Sequence, residues 1–282
     1  MKLVIDEGMF LKDRKEETPV ILTKKMEKTF MNGKVFLLHT NDGYPVEVTD
    51  TFLPYYTKNA IGAHQNALTT TDVGSKAERW MIGVSTMSGC PVRCKFCATS
   101  GLKKYRNLTA DEIIEQVVFV LGQSKEDPRD SKEFKINYTR MGEPFLNLDA
   151  VKQAIETIDG LSSNNIHHYV STIGLKNADY SWIQGNITLQ ISLHSLDENK
   201  RNWLIPYKNK ATIEELGQIR TGSNLKTTIN MTLVDESDFD IELLKKYFDP
   251  KYFFIKLSPI NKNVVSEMND LGEGCITGRN LK

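Results

Sequence analysis

The sequence is short of cysteine, has no excess of either charge and has no long apolar run. Lysine and arginine together number 36, as do aspartate and glutamate, so the net charge at pH 7 is zero. This balance disfavours a protein that binds nucleic acid through a global positive field, although local basic patches can still bind phosphates. No apolar stretch reaches the length of a membrane span, and segment 1–15 is too charged for a secretory signal. We therefore expect a cytoplasmic protein, with no membrane and no DNA among its partners.

The four cysteines are too clustered for a disulfide framework and fit a reducing compartment. Three of them, Cys90, Cys94 and Cys97, lie in SGCPVRCKFCATSG with a C-x3-C-x2-C spacing. Three thiolates at this spacing can bind three irons of a cubane cluster and leave the fourth iron open to a small ligand. Phe96 places an aromatic ring beside this loop, against which a flat adenine can lie.

Two alternatives exist for these cysteines. A structural zinc site usually takes four protein ligands in paired C-x2-C units, and the sequence has no second pair. Three unrelated core cysteines would not gather within eight residues beside glycine and proline. The spacing therefore favours an iron–sulfur cluster.

The segment that begins at Trp80 alternates short β-branched runs with helical patterns, which is typical of parallel β-α-β units. Thr109 followed by Glu112 predicts a capping box at the start of the first helix. Six strands predict an α/β fold with a partial (β/α)6 barrel, whose active site lies at the carboxyl ends of the strands. The strand-like runs are 80–85, 134–138, 168–172, 187–193, 226–234 and 253–257.

The first part of the chain predicts a small β-containing extension. Thr40-Asn41-Asp42-Gly43 is a turn sequence between strand-like runs at 34–39 and 46–48, which indicates a β-hairpin. The polar segment 62–75 is typical of a linker. We predict an N-terminal extension at 1–78, a core barrel at 79–262 and a short tail at 263–282.

Met141-Gly142-Glu143-Pro144 follows the second strand of the core. Glycine allows the backbone to approach a ligand closely, and Glu143 can accept a hydrogen bond from an ammonium group. Taken alone, this sequence fits any turn from strand to helix. Its place one β-α unit after the cysteines favours a role in ligand binding.

The cysteine loop, with Phe96 directly before Cys97, resembles the signature of the radical S-adenosylmethionine (SAM) superfamily. The loop together with RNLTADEIIEQV, GEPFLNL, STIG, ISLH and KLSPIN resembles more narrowly the RlmN/Cfr adenine methyltransferase family, over roughly 34–261. This resemblance implies a [4Fe-4S] cluster on the three cysteines and SAM on its open iron. It also implies an RNA substrate, tRNA or rRNA, and an electron donor such as flavodoxin or ferredoxin.

The resemblance also implies roles for single residues. Glu47, in PVEVTDTFLP, corresponds to the glutamate that serves this family as an acid/base. The alternative for His194 is a histidine at a strand end that only hydrogen-bonds to the backbone. The alternative for Glu47 is a strand carboxylate that faces solvent. The positions that correspond to the family's SAM contacts are Gly142, Glu143, Ser171, Ser192, Leu193, His194 and Asn261.

Two departures from the family bear on methyl transfer. The family's resolving cysteine corresponds to Gly83, which has no thiol. The methyl-accepting cysteine lies in a C-terminal segment, and this chain ends at Lys282, 21 residues after Asn261. Cys275 lies in this stretch and is either a shortened version of the acceptor, a ligand of a second site or an idle thiol. The resemblance is therefore to a divergent, shortened member.

The leading hypothesis is a radical SAM enzyme that methylates an adenosine in RNA, with Glu47 and Cys275 as candidate catalytic residues. A second hypothesis is direct hydrogen abstraction from a small molecule, nucleotide or peptide. A third is an accessory protein that binds SAM and a cluster, which the intact cysteine triplet and MGEP disfavour. Cations near the barrel mouth could bind phosphates, although such runs of cations more often form a solvent-exposed surface with no ligand. These cations are Lys103, Lys104, Arg106, Lys200, Arg201, Lys208 and Lys210.

Overall fold

A computed structural model of the chain describes residues 21–55, 73–161, 166–232, 238–258 and 260–271. The chain forms two compact units. The first comprises 1–88, 107–141 and 147–168, and the second comprises 89–106, 142–146 and 169–282. Cys275, most of the predicted linker and the end of the predicted strand at 226–234 lie outside the described residues. The predicted division of the chain at residues 78 and 262 stays a prediction.

The first unit is built on neighbouring strands of a nine-stranded sheet, in the order β1, β2, β3, β4, β7. Neighbours from β1 to β4 pair antiparallel, whereas β4 pairs parallel with β7. The turn between β2 and β3 confirms the predicted hairpin, and Gly43 adopts a φ of 84° there. The strands of this unit are β1 (Leu22–Phe30), β2 (Gly33–Thr40), β3 (Pro45–Leu53), β4 (Arg79–Val84), the two-residue β5 (Met87–Ser88) and β7 (Glu133–Tyr138); the equally short β6 is Arg106–Asn107.

The described α-helices of the first unit are α1 (Ala110–Gly122) and α2 (Leu148–Leu161). Thr109 accepts from the amide of Glu112, whose side chain accepts from the amide of Thr109, so the predicted capping box is confirmed. Residues three and four apart on α1, such as Ile113, Val117 and Leu121, are fully buried. This spacing places them on one face of the helix and explains why the sequence folds as a helix here.

The second unit carries the later parallel strands. Strands β9, β10 and β11 pair in register, so that Ser192, Asn230 and Lys256 are aligned across the sheet. Its strands are most of β8 (His167–Thr172), β9 (Ile187–Ser192), β10 (Thr227–Thr232) and β11 (Phe253–Ser258). Its helices are α3 (Glu198–Leu204), α4 (Ile213–Gly217), α5 (Ile241–Tyr247) and α6 (Val264–Met268).

The predicted fold class is confirmed. Each of the six strand-like runs of the core overlaps an observed strand, and helices separate the later ones. Strand β1 was not predicted, because four of the nine residues of Leu22–Phe30 are charged and all but Leu22 are exposed. Lysines on an exposed edge strand oppose pairing with other chains. Helix α6 falls within the segment predicted as a tail.

Candidate active site

The cysteine loop lies in the second unit, and Cys90, Cys94 and Cys97 are free and half-buried. Arg93 adopts a φ of 61° and donates to the carbonyl oxygens of Ser100 at 2.9 Å and Lys103 at 3.1 Å. The hydroxyl of Ser100 donates in turn to the carbonyl oxygen of Cys94 at 2.8 Å. These bonds hold the loop in one conformation without using a thiol, so the three sulfurs remain available as ligands.

The thiols fit an iron–sulfur cluster in their chemistry. Burial raises the pKa of Cys90 to about 12 and raises that of Cys94 well above its ordinary value. Both are therefore protonated at neutral pH, and iron must displace the protons as it binds. Among the described side chains, no three His, Cys, Asp or Glu residues are grouped to hold a single metal ion. A cubane does not need such a group, because each thiolate binds a different iron.

Glu143 of the MGEP turn is also in the second unit and is 3% exposed. Gly142 precedes it with a φ of 106°, a backbone conformation that favours glycine. The Oε1 of Glu143 accepts from the amide of Phe145 at 3.1 Å and its Oε2 from the amide of Ile173 at 2.9 Å. Burial raises the pKa of Glu143 to about 7, although these amides and the Thr172 side chain lower it. A carboxylate has about four lone-pair positions, so the remaining ones can accept from a ligand ammonium.

His194 lies directly after β9 and contacts the ring of Phe96 at a centroid distance of 4.6 Å. Its φ is 63°, a left-handed conformation that is uncommon outside glycine. Nδ1 accepts from the amide of Thr232 at 3.0 Å, so the proton of the neutral ring is on Nε2. Burial lowers the pKa of His194 to about 3, which keeps the ring neutral at physiological pH. The side chain therefore presents a permanent Nε2–H donor.

The remaining predicted SAM contacts lie at strand ends of the same unit. Ser171 precedes Thr172 at the end of β8, and Ser192 ends β9, with both half-buried. Leu193 is fully buried and donates its amide to the carbonyl oxygen of Asn230 at 3.0 Å. Asn261 is exposed. The structure thus places every predicted cluster and SAM residue in one compact unit.

Asn263 is a site residue that the sequence interpretation missed. Its Nδ2 donates to the carbonyl oxygens of Phe96 at 3.0 Å and Asn261 at 2.8 Å. Its Oδ1 accepts from two amides of the first turn of α6, where Ser266 completes a capping box. Asn followed by Ser three residues later is the pattern that could have located this helix start. Asn263 therefore connects Phe96, against which the adenine is predicted to lie, to Asn261, a predicted SAM contact.

Glu47 and Gly83 lie in the first unit. Glu47 forms an ion pair with Arg140, whose Nε donates to Oε1 at 2.8 Å and whose Nη2 donates to the same oxygen. Gly83 is buried between Thr49 and Arg140. A Cβ at this position would lie 2.4 Å from Thr49 Oγ1 and 3.0 Å from Arg140 Cδ. The space that the Cβ of a cysteine at position 83 would need is therefore occupied by these two side chains.

We expect Gly83→Ala to lower the free energy of unfolding by about 1–3 kcal/mol, the usual cost of overpacking a core. Thr49→Ala removes the nearest clashing atom, so the double variant should lose less than the sum of the two single losses. Chemical denaturation of the four proteins measures this coupling. Gly160→Ala is the control, because nothing lies within 4 Å of a Cβ there. Additive losses at positions 49 and 83 would contradict the predicted clash.

The predicted phosphate-binding cations differ in their surroundings. Lys103, Lys104 and Lys208 are exposed. Lys200 pairs with the buried Asp238 at 2.6 Å. Arg201 has no exposed surface, so the prediction that it holds a phosphate at the surface is wrong. The sequence pattern did not predict the burial of Arg201, because arginine is rarely buried. Within the described part of the chain, no helix is both long enough and apolar enough to cross a membrane.

Known proteins are similar to this chain in sequence and in fold. The family model described as the radical SAM superfamily matches residues 84–248, more than half of the chain. A Chlorobium phaeobacteroides protein named probable dual-specificity RNA methyltransferase RlmN is 36% identical over 177 residues, covering 61% of this chain and 49% of that protein. A Caldicellulosiruptor saccharolyticus protein of the same name is 29% identical over 265 residues, covering 89% and 69%. The chain spans about half the length of the Chlorobium relative and of one from Pseudothermotoga lettingae, 49% and 54%.

A solved structure extends the comparison to the fold. The crystal structure of a radical SAM methyltransferase from Sphaerobacter thermophilus matches with a TM-score of 0.62 and 22% identity, covering 89% of this chain and 74% of that one. The two proteins share a fold. The family match over more than half of the chain shows that the chain belongs to the radical SAM superfamily and is a radical SAM enzyme, with a [4Fe-4S] cluster and SAM as its cofactors.

Proposed function

We propose that this enzyme cleaves SAM reductively at a cluster held by Cys90, Cys94 and Cys97, and modifies an adenosine in RNA. The observation that carries the proposal is the gathering of the cysteine loop, Glu143 and the Phe96–His194 pair in one compact unit. When bound and reduced, the cluster supplies the electron that cleaves SAM to a 5′-deoxyadenosyl radical. We further propose a flavodoxin or ferredoxin as electron donor and the cytoplasm as location.

The side chains of this unit have complementary tasks towards SAM. The Glu143 carboxylate accepts from the ammonium of the methionine part, which also compensates for the burial of its charge. His194 offers Nε2–H as a donor, since Nδ1 is occupied by the amide of Thr232. Phe96 presents a ring face against which the adenine lies, and Asn263 holds its backbone in place. None of these tasks requires a side chain to change its charge during turnover.

RNA as the substrate class is supported by the curated relatives, which are named RNA methyltransferases. The exposed Lys103, Lys104 and Lys208 can contact phosphates. Strand β10 of the second unit also offers a polar group, Asn230, whose Oδ1 is buried and has no partner among the described residues. Such a group can accept from a base or ribose of the substrate.

The space around Gly83 favours a second candidate, direct hydrogen abstraction by the adenosyl radical. A two-cysteine methyl transfer needs a resolving thiol, and Thr49 and Arg140 occupy its place. In this alternative the substrate is a small molecule, nucleotide or peptide, and Cys275 is unmodified. In the leading proposal Cys275 accepts the methyl group, Glu47 acts as the acid/base, and another group releases the protein–RNA adduct.

One experiment separates the two candidates. The cluster is reconstituted without oxygen, SAM, dithionite and tRNA or rRNA fragments are added, and mass spectrometry is applied to protein, RNA and small molecules. RNA methylation predicts methylated adenosine together with a gain of one methylene group on Cys275. Cys275→Ala then abolishes methylation but retains formation of 5′-deoxyadenosine. If 5′-deoxyadenosine forms while Cys275 and the RNA remain unmodified, adenosine methylation is wrong and direct abstraction is supported.

A further inference from the structure

Arg201 on α3 is buried, and no carboxylate among the described residues forms a salt bridge with it. Its side chain has no exposed surface, and it donates to the carbonyl oxygens of Ala211 at 2.7 Å and Ile173 at 2.8 Å. Its Nε is buried and has no partner among the described residues. Glu198, one turn earlier on α3, accepts from the amide of Ile213 instead of pairing with Arg201. Two neutral carbonyl groups therefore hold a full positive charge.

A buried charge without an ionic partner costs several kcal/mol even after the surroundings relax. Burial accordingly lowers the pKa of Arg201, and the negative charge of Glu198, together with that of Cys94 once its thiol is deprotonated, raises it in part. Methionine or leucine would fill the same space without that cost. An arginine at this buried position therefore points to an anion that arrives after the chain has folded.

The surroundings of Arg201 identify where this anion binds. Leu204, one turn after Arg201 on α3, accepts through its carbonyl oxygen from the amide of Lys95 at 2.9 Å. Lys95 lies directly after Cys94, so this backbone hydrogen bond connects the end of α3 to the cysteine loop. Lys210, the other cation whose charge acts on Cys94, is half-buried and donates to Asn202. Arg201 is thus fully shielded from water, whereas the nearby described cations Arg93 and Lys210 are only half-buried.

We propose that Arg201 is the buried counter-charge of the iron–sulfur cluster and makes its one-electron reduction more favourable. Three thiolates give the oxidised cluster a net negative charge, and the incoming electron adds another. A fixed cation in a low-dielectric surrounding stabilises the reduced form more than the oxidised form, and nearby charge is one of the factors that set cluster potentials. The inference rests on the proposed function, since it assigns the cluster to the three cysteines.

A purely structural role is the competing explanation. The residue Ile173 accepts from Arg201 through its carbonyl oxygen and donates its amide to Glu143. Loss of the guanidinium would therefore disturb the turn that holds Glu143, without any effect of charge. Arg201→Lys retains the charge but cannot span both carbonyl oxygens, whereas Arg201→Gln removes the charge and keeps a donor. Lys210→Met removes a nearby cation that water already screens.

The test is a redox titration of the cluster, followed by electron paramagnetic resonance without SAM, in the wild-type protein and these three variants. We expect Arg201→Gln to lower the midpoint potential by about 59 mV or more, a tenfold change in a one-electron equilibrium. Arg201→Lys should keep the wild-type midpoint potential but melt at a lower temperature. Lys210→Met should change the midpoint potential little. An unchanged potential in Arg201→Gln with a full cluster would overturn the proposal.

The Lys variant decides the matter if Arg201→Gln does not hold a cluster. A potential near that of the wild type, despite weaker folding, supports a role of the charge. A potential that falls together with the melting temperature contradicts it. Failure of the wild-type protein to bind a cluster is a different result, because it refutes the cluster assignment on which the inference rests.

Discussion

Replacement of Cys90 by alanine is expected to abolish both cluster binding and all cleavage of SAM. With two thiolates left, one more iron of the cubane lacks a protein ligand, and no other cysteine lies nearby in the sequence to replace it. Iron and sulfide content, the visible absorption of the reconstituted protein and the yield of 5′-deoxyadenosine measure the effect. We expect all three to fall to background levels.

Cys275→Ala is the matched control, because it removes the one cysteine outside the loop. This variant should bind a full cluster and form 5′-deoxyadenosine at the wild-type rate in the absence of RNA. If Cys90→Ala retained the cluster and full cleavage, the assignment of the three ligands would be wrong. Loss of the cluster from Cys275→Ala would place Cys275 among the ligands.

Replacement of Glu143 by glutamine is expected to weaken SAM binding at least tenfold at pH 8, while the cluster survives. Glutamine retains one oxygen for an amide but cannot pair with an ammonium, and charge-assisted bonds are about twice as strong as neutral ones. Isothermal titration of SAM into the reconstituted protein measures the affinity. Unchanged affinity in this variant would refute the proposed contact.

The raised pKa of Glu143 also predicts how SAM binding depends on pH. The folded-state value of about 7 exceeds the ordinary 4.5 because of burial, so the apo-protein holds this proton until the pH rises through about 7. SAM affinity should therefore increase between pH 6 and 8, whereas the stability of the apo-protein should fall as the pH rises from about 4.5 to about 7 and should change little above that. In Glu143→Gln the SAM affinity should vary with pH only through titration of the amino group of SAM itself, and the pH dependence of apo-protein stability that Glu143 causes should be absent.

A matched variant separates this effect from a general one. Glu156 lies exposed on α2, and Glu156→Gln should keep the wild-type affinity and the wild-type pH profile. A pH profile in Glu143→Gln that matched the wild type would show that another group controls binding. In that case Glu143 would serve only to hold the Ile173 turn.

Sequence pattern predicted the parts of this molecule that depend on near neighbours in the chain. The capping box at Thr109 and the helical spacing of Ile113, Val117 and Leu121 are local, and both are present. The cysteine spacing and Phe96 lie within one loop, so their juxtaposition follows from the sequence. The alternation of strands and helices was sufficient to predict the α/β class.

Features that depend on distant parts of the chain were not predictable in this way. The burial of Arg201 arises because Ile173 and Ala211 present carbonyl oxygens to it from other segments. Likewise, the pairing of Glu47 with Arg140 joins residues 93 positions apart. A sequence pattern assigns charged residues to the surface by default, and tertiary contacts decide the exceptions.

The packing around Gly83 restricts how sequences of this kind can change. A single exchange to cysteine at this position would place its Cβ against Thr49 and Arg140, so the first step towards a resolving thiol carries a penalty in stability. Exchange of Arg140 first would free space but would leave Glu47 without its ionic partner. Positions 47, 49, 83 and 140 are therefore expected to vary together among related sequences, and an engineer who wishes to introduce a thiol must redesign them as a set.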